Sequence, residues 1–299
     1  MSYAAGAVLV VVAGALWSTM GLVIRQFDAA GTWAILFWRS AGAIPVLLAV
    51  IAANAGGSPL RRLRAVGWPG VIGGLGLVMA FAGAIFAIQA TTVANAVFLF
   101  TASPFLTAIL GRLVLGERVA GATWAAIGLA VAGIAVMVGS GLETGAMLGN
   151  LAALMSAAGF AVFSITLRWG KAGDMMPAVV IGAGFSMLAA LAGGWVTGQA
   201  VVGLPAGEVA LALAMGAVIL AGGMVLYTLG SRVLPAADLT LMSLVEVMLA
   251  PVWVFLVLGE TASPATFAGG AIVLAAVVLN AVSGARRRGV RARTLASDQ

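Results

Sequence analysis

The chain has 299 residues, of which 63% are apolar and only 8% charged, against about half and about a quarter in soluble globular domains. That leaves too little polar surface to enclose a water-soluble core, but enough apolar chain for about ten membrane spans of about 20 residues each. Cys and His are both absent, which excludes disulfides, thiol nucleophiles, imidazole catalysis and Cys/His zinc sites.

In chain order, the apolar runs predict helical segments over 4–25, 32–53, 67–89, 94–115, 120–140, 147–169, 176–197, 208–231, 236–258 and 263–283. The breaks carry turn chemistry at Asp28 to Gly31, Asn54 to Pro59, Gly116 to Arg118, Gly141 to Gly145, Gly170 to Asp174, Gly203 to Gly207, Leu234 to Asp238 and Gly259 to Pro264. Segment 1 has no basic residue before it and is too long for a signal core, so it reads as a retained helix. Helices are required because an open strand leaves backbone groups unpaired in lipid. The fold class is therefore an all-α polytopic membrane protein.

The net charge of +6 would suggest nucleic acid in a soluble protein, so the positions of the charges decide. With ten alternating spans, one face receives Arg61, Arg62, Arg64, Arg112, Arg118, Arg168, Lys171, Arg232 and the tail's Arg286, Arg287, Arg288, Arg291 and Arg293. The other face receives Arg25 alone. This asymmetry places both termini in the cytoplasm. The tail, residues 285–299, then reads as a topology determinant at anionic headgroups, with no nucleic-acid partner.

Shifting the sequence by 143 residues superposes Gly6 on Gly149, Arg25 on Arg168, Gly73 on Gly216, Ala94-Asn95 on Ala237-Asp238, and Leu115-Gly116-Glu117 on Leu258-Gly259-Glu260. Thr123 then meets Thr266, and Ser140-Gly141 meets Ser283-Gly284, with no gap. Residues 1–143 and 144–284 thus read as two five-helix repeats. Five is odd, so the second repeat enters the membrane inverted. Inverted repeats recur in secondary transporters, where two quasi-equivalent halves expose a midplane site alternately to each side.

Only two charges lie well inside the apolar segments, away from their ends and clearly within the hydrocarbon, Arg39 and Glu246. An intramembrane ionisable group is a functional hypothesis by default. Glu246 lies about ten residues into segment 9, roughly 15 Å deep at 1.5 Å per residue. Either it meets a substrate ammonium or a coupling proton, or it pairs with Arg39 or stays neutral and ties helices together. Arg39 either contacts a substrate carboxylate or gates, or is a structural tie. Helical periodicity selects further candidates for a substrate-binding cavity: Trp17 and Ser18 in segment 1; Met79 in segment 3; Phe98, Thr101 and Ser103 in segment 4; Ser156, Phe160, Phe163 and Ser164 in segment 6; Met224 and Tyr227 in segment 8; and Met242 beside Glu246 in segment 9. Aromatic, Met and hydroxyl groups suit amphiphilic ligands. Segments 5 and 10 are nearly all apolar and are expected at the lipid-facing periphery. Trp33, Trp38, Trp68, Trp169 and Trp195 are expected in an aromatic belt. Pro104 and Pro251 are expected to kink their helices. Glu117 and Glu260 are expected to favour the N-termini of the helices that follow them.

Phe37-Trp38-Arg39 with Ala43, Pro104, Gly116-Glu117 and its echo Pro251 with Gly259-Glu260 resemble the drug/metabolite transporter superfamily, specifically its ten-helix EamA-type exporters. Length and pattern are most similar to the YddG-type exporters of aromatic and other neutral amino acids. The resemblance implies alternating access around a cavity between helices 1 to 4 and 6 to 9, in the bacterial inner membrane. It implies a small-molecule substrate, amino acids or similar amphiphiles, with the lipid bilayer as the other partner. The expected state is a monomer or weak homodimer without cofactor or metal. The alternative is an exporter of cationic drugs or metabolites using Glu246. From other classes, a membrane receptor without transport stays open, whereas an embedded enzyme lacks G-x-S-x-G, Cys, His and paired deep carboxylates, and no G-x-x-x-x-G-K-[ST] supports ATP hydrolysis. A sugar-phosphate exchanger needs a buried basic cluster, and only Arg39 is available.

Overall fold

A computed structural model describes residues 1–55, 58–144, 146–170, 175–234 and 236–297, with the side chains of 54, 55, 140–144, 236, 237, 240 and 284–297 left aside. The breaks at Gly145 and Lys171 to Asp174, the repeat match at Ser140-Gly141, and the arginine side chains of the tail therefore lie outside the described residues. Every regular element described is helical, and ten are long and apolar enough to cross a membrane. We label these α1 (Tyr3–Ile24), α2 (Thr32–Ala53), α3 (Gly67–Ala90), α4 (Val93–Leu115), α5 (Gly121–Gly139), α6 (Met147–Trp169), α7 (Met176–Thr197), α8 (Ala206–Ser231), α9 (Leu241–Leu258) and α10 (Pro264–Ser283). The chain is a multi-pass membrane protein, with spans close to those predicted.

Three spans are irregular. In α1, regular helix stops at Ser18 and resumes at Met20. Ser18 Oγ and Thr19 Oγ1 donate to the carbonyls three residues back, at 2.6 Å each, so two adjacent hydroxyls compete with the backbone ladder. The same device interrupts α4, where Thr101 Oγ1 donates to Phe98 O at 2.5 Å. Pro104, which follows at once, has no N–H to continue the ladder, and helix restarts at Ser103. Pro251, by contrast, sits within a continuous helix, Ala236–Leu258. In α8 a π-helical stretch, Met215–Gly222, replaces two turns of α-helix. Beyond the membrane α10 continues as helix to Ser297, so the backbone of the basic segment is helical through most of the stretch read from sequence as a tail.

The packing is pairwise and reciprocal. The broadest interface joins α3 to α6, and its counterpart joins α8 to α1; α2 packs on α7, and α5 on α10. Likewise α2 lies against α8 as α7 lies against α3, and α9 against α1 as α4 against α6. Replacing each helix by the one five places along converts this set of contacts into itself.

Small residues allow the close approaches. A methyl built on Gly76 would lie 2.7 Å from Gly159 O, and one on Gly159 would lie 2.4 Å from Gly76 O. Gly133 and Gly269 meet in the same way between α5 and α10. That pair of helices packs mainly on itself, in keeping with its expected peripheral place. A Cβ on Gly216, within the π stretch, would lie 1.8 Å from Arg39 O, so α8 passes tightly beside the α2 segment that carries the buried arginine.

Candidate functional site

The sequence Leu-Gly-Glu occurs at the end of α4 and again at the end of α9. In both places the glycine takes a positive φ, 66° at Gly116 and 67° at Gly259, a conformation open to glycine at no steric cost. The following glutamate N–H then reaches back six residues, Glu117 to Gly111 O at 3.2 Å and Glu260 to Val254 O at 3.3 Å. This Schellman closure stops the helix and projects each glutamate side chain across the mouth of the bundle.

Each carboxylate meets the arginine that ends a helix of the other half. Glu260 Oε2 accepts from Arg25 Nε at 2.9 Å, and Glu260 Oε1 accepts from the Val93 backbone N–H at 2.7 Å. Arg25 Nη2 donates to Thr91 O at 2.7 Å. The ends of α1 and α9 are thus tied to the α3–α4 turn, with the carboxylate at an unsatisfied helix N-terminus. At the opposite end of the bundle Glu117 accepts from Arg168 Nη2. The two pairs differ in setting: the Arg25 and Glu260 side chains are 25% and 19% exposed, those of Arg168 and Glu117 47% and 38%. The expectation that Glu117 and Glu260 serve the helices following them is therefore corrected. Glu260 serves the start of α4, and both bind an arginine of the opposite half.

A cavity of about 730 Å³ opens at the Arg25 mouth, lined by Arg25, Gln89, Asn95, Glu260 and Thr266 among others. Beneath it Asn95 donates to the fully buried Asn150, linking α4 to α6. At the other end Tyr3 OH donates to Asp238 Oδ2 at 2.8 Å, linking α1 to α9.

Deeper in the bundle, Arg39 is 1% exposed. Its guanidinium lies 4.5 Å from the centroid of the Phe81 ring, and Nη1 lies 3.6 Å from Met20 Sδ. Nε and Nη2 have no hydrogen-bond partner among the described residues. Burying an ionised group costs several kcal/mol, and a desolvated cation–π contact returns about 2 kcal/mol, so this cation is under-compensated. Among the described residues no ion pair joins it to Glu246, so the two do not tie helices together by pairing with each other. Glu246 is half-buried, accepts no hydrogen bond from the described residues and faces α1, where a methyl on Gly14 would lie 3.5 Å from the Glu246 amide nitrogen.

Around these charges the structure gathers some candidates and separates others. Trp17 tilts against Tyr227 at 5.5 Å between centroids, while its Nε1 is buried without a partner and its ring covers Gly223. Ser18 accepts from Trp253 Nε1 at 2.9 Å, joining α1 to α9 two turns beyond Glu246. Met242 occupies the next turn of the same face, its carbonyl near Gly14. Met224 is buried beside Trp17 and Phe163 in one apolar cluster.

Elsewhere, Ser156 Oγ donates to Ala80 O at 2.7 Å across α3 and α6, and Ser164 Oγ to Phe160 O at 2.9 Å within its own helix. Phe160 is exposed and tilts against the buried Phe163. Phe98 packs over Gly270 of α10, Thr101 and Ser103 are buried at the α4 break, and Met79 is exposed. Of the belt tryptophans, Trp68, Trp169 and Trp195 are exposed. Trp38 instead donates to Val201 O at 2.9 Å, and Trp33 packs on Gly193.

Residues 4–139 match the EamA-like transporter family. The whole fold is similar to that of a solved crystal structure with a TM-score of 0.63 and 19% identity, over 93% of this chain and 97% of that one. No curated protein matches the chain.

Proposed function

We propose that the protein is a secondary transporter of the bacterial inner membrane, with both termini cytoplasmic, which exports small amphiphilic metabolites, foremost neutral and aromatic amino acids. Residues 1–143 and 144–284 act as inverted repeats that expose a central site alternately to each side. The match of the first half to a transporter family and the reciprocal helix packing support this reading.

The observation that carries the substrate class is a buried Arg39 and a half-buried Glu246 that are not paired with each other. Among the described residues Arg39 Nε and Nη2 have no hydrogen-bond partner and the Glu246 carboxylate accepts no hydrogen bond; Phe81 lies against Arg39, and Trp17 tilts against Tyr227. A zwitterion satisfies both at once: its carboxylate takes the guanidinium, its ammonium takes Glu246, and its apolar side chain takes the aromatic rings. A cationic amphiphile satisfies Glu246 alone, and is the second reading because Glu246 has no competing partner.

Counterflow in proteoliposomes tests both, using labelled neutral and aromatic amino acids beside a permanently charged cation, with and without a pH gradient. Saturable exchange of the amino acids is expected. Exchange of the cation with none of the amino acids overturns the zwitterion in favour of the second reading, and no exchange of any solute overturns transport.

A further inference from the structure

We propose that Arg25, Glu260, Arg168 and Glu117 form two reciprocal latches, one at each mouth, whose alternate rupture sets the side to which the central site opens. The inference rests on the transport reading above and adds four gating residues to it. Each pair takes its arginine from one half and its glutamate from the other. The 143-residue shift carries Arg25 onto Arg168 and Glu117 onto Glu260, so it converts one latch into the other at the opposite end of the bundle.

The Arg25 pair, seated on the packed helices α1 and α9, is bonded across its mouth to the α3–α4 turn, and the Arg168 pair joins the end of α6 to the turn after α4. Arg25 ends α1 and Glu260 follows α9; Arg168 lies at the end of α6 and Glu117 follows α4.

The latches are unequal. The Arg25 latch is largely buried and carries two further bonds, to Thr91 O and from Val93 N–H. The Arg168 latch is about twice as exposed, where solvent screens an ion pair and lowers its contribution. The Arg25 latch, at the outer mouth by the arginine distribution, is therefore the stronger of the two.

The chain has no cysteine, so one introduced thiol reports access without background. Ser103→Cys places it at the α4 break, between the two mouths. Labelling by a membrane-impermeant maleimide is then measured from outside in intact cells and from inside in inverted vesicles. Glu260→Gln should raise outside labelling about two- to fivefold, the scale of shift that a partly exposed ion pair imposes on a two-state equilibrium. Glu117→Gln should raise inside labelling instead. The charge swap Arg168→Glu with Glu117→Arg, made at the pair whose side chains carry no further bond of this kind among the described residues, should return inside labelling toward the parent, which separates a latch from loss of folding.

Unchanged labelling in both single variants, a shift in the same direction in both, or a swap that behaves like its single variant each overturns the proposal. The readout needs no transported solute. Shifted access without counterflow retains the latches and removes transport, whereas counterflow with unshifted access retains transport and overturns the latches.

Discussion

Arg39 and Glu246 show how far a residue's depth and its partnership are separate questions. Their depth could be read from the sequence, because a charge inside an apolar run of helical length has nowhere else to sit. Their lack of mutual contact could not, because pairing depends on how α2 and α9 rotate against α1 and α3. Substitution at Arg39 separates a binding group from a structural one. Arg39→Met removes an under-compensated buried cation, so thermal stability in detergent should hold or rise by about 1–4 kcal/mol. Amino-acid counterflow should fall about 10- to 100-fold, matching about 1.5–3 kcal/mol for a hydrogen bond to a charged group. A protein that melts several degrees lower yet transports normally would assign Arg39 to structure. Ser156 gives the opposite case: its hydroxyl bridges to Ala80 O, so Ser156→Ala should lower unfolding stability by about 1 kcal/mol, as measured by thermal melting.

For whole helices, apolar runs and glycine-rich breaks marked the ten spans closely, because a bilayer imposes length and composition more strictly than water does. The breaks within α1 and α4 and the π stretch of α8 were less legible. Ser18, Thr19 and Thr101 are ordinary in membrane helices, and only their hydroxyl bonds to the i−3 carbonyls turn them into breaks. Pro104 marks the break in α4, whereas Pro251 lies within a helix that continues on both sides of it.

The glycine contacts are strict at this scale. Gly76→Leu would drive a side chain into the Gly159 carbonyl, and overpacking of this kind costs about 1–3 kcal/mol. The expected result is a lower melting temperature for Gly76→Leu, with little change for Gly128→Leu, where nothing lies within 4 Å of a built Cβ. Equal effects at the two positions would contradict the packing of α3 on α6.

Across the molecule, the repeat was visible as one constant register, and it contained the four latch residues as matched letters. What it could not display was which letters touch. Arg25 and Glu260 are 235 positions apart, and such a contact leaves no local pattern in the chain. The face assignments for the candidate cavity fared unevenly for the same reason. Trp17 and Tyr227 do meet, whereas Phe98 turns toward α10, because periodicity selects a face without saying which neighbour covers it. The reciprocal packing, the exchanged ion pairs and the repeated Leu-Gly-Glu closures all support the proposal that the two halves sit upside down relative to each other.

Single cysteines at Arg118 and Thr261 test that idea most directly, since the 143-residue shift relates them and both are exposed just beyond the latch glutamates. With a membrane-impermeant thiol reagent on intact cells, Thr261→Cys should be labelled at once and Arg118→Cys only after the membrane is permeabilised. Labelling of both from the same side would contradict the inverted arrangement, and with it the alternating-access mechanism.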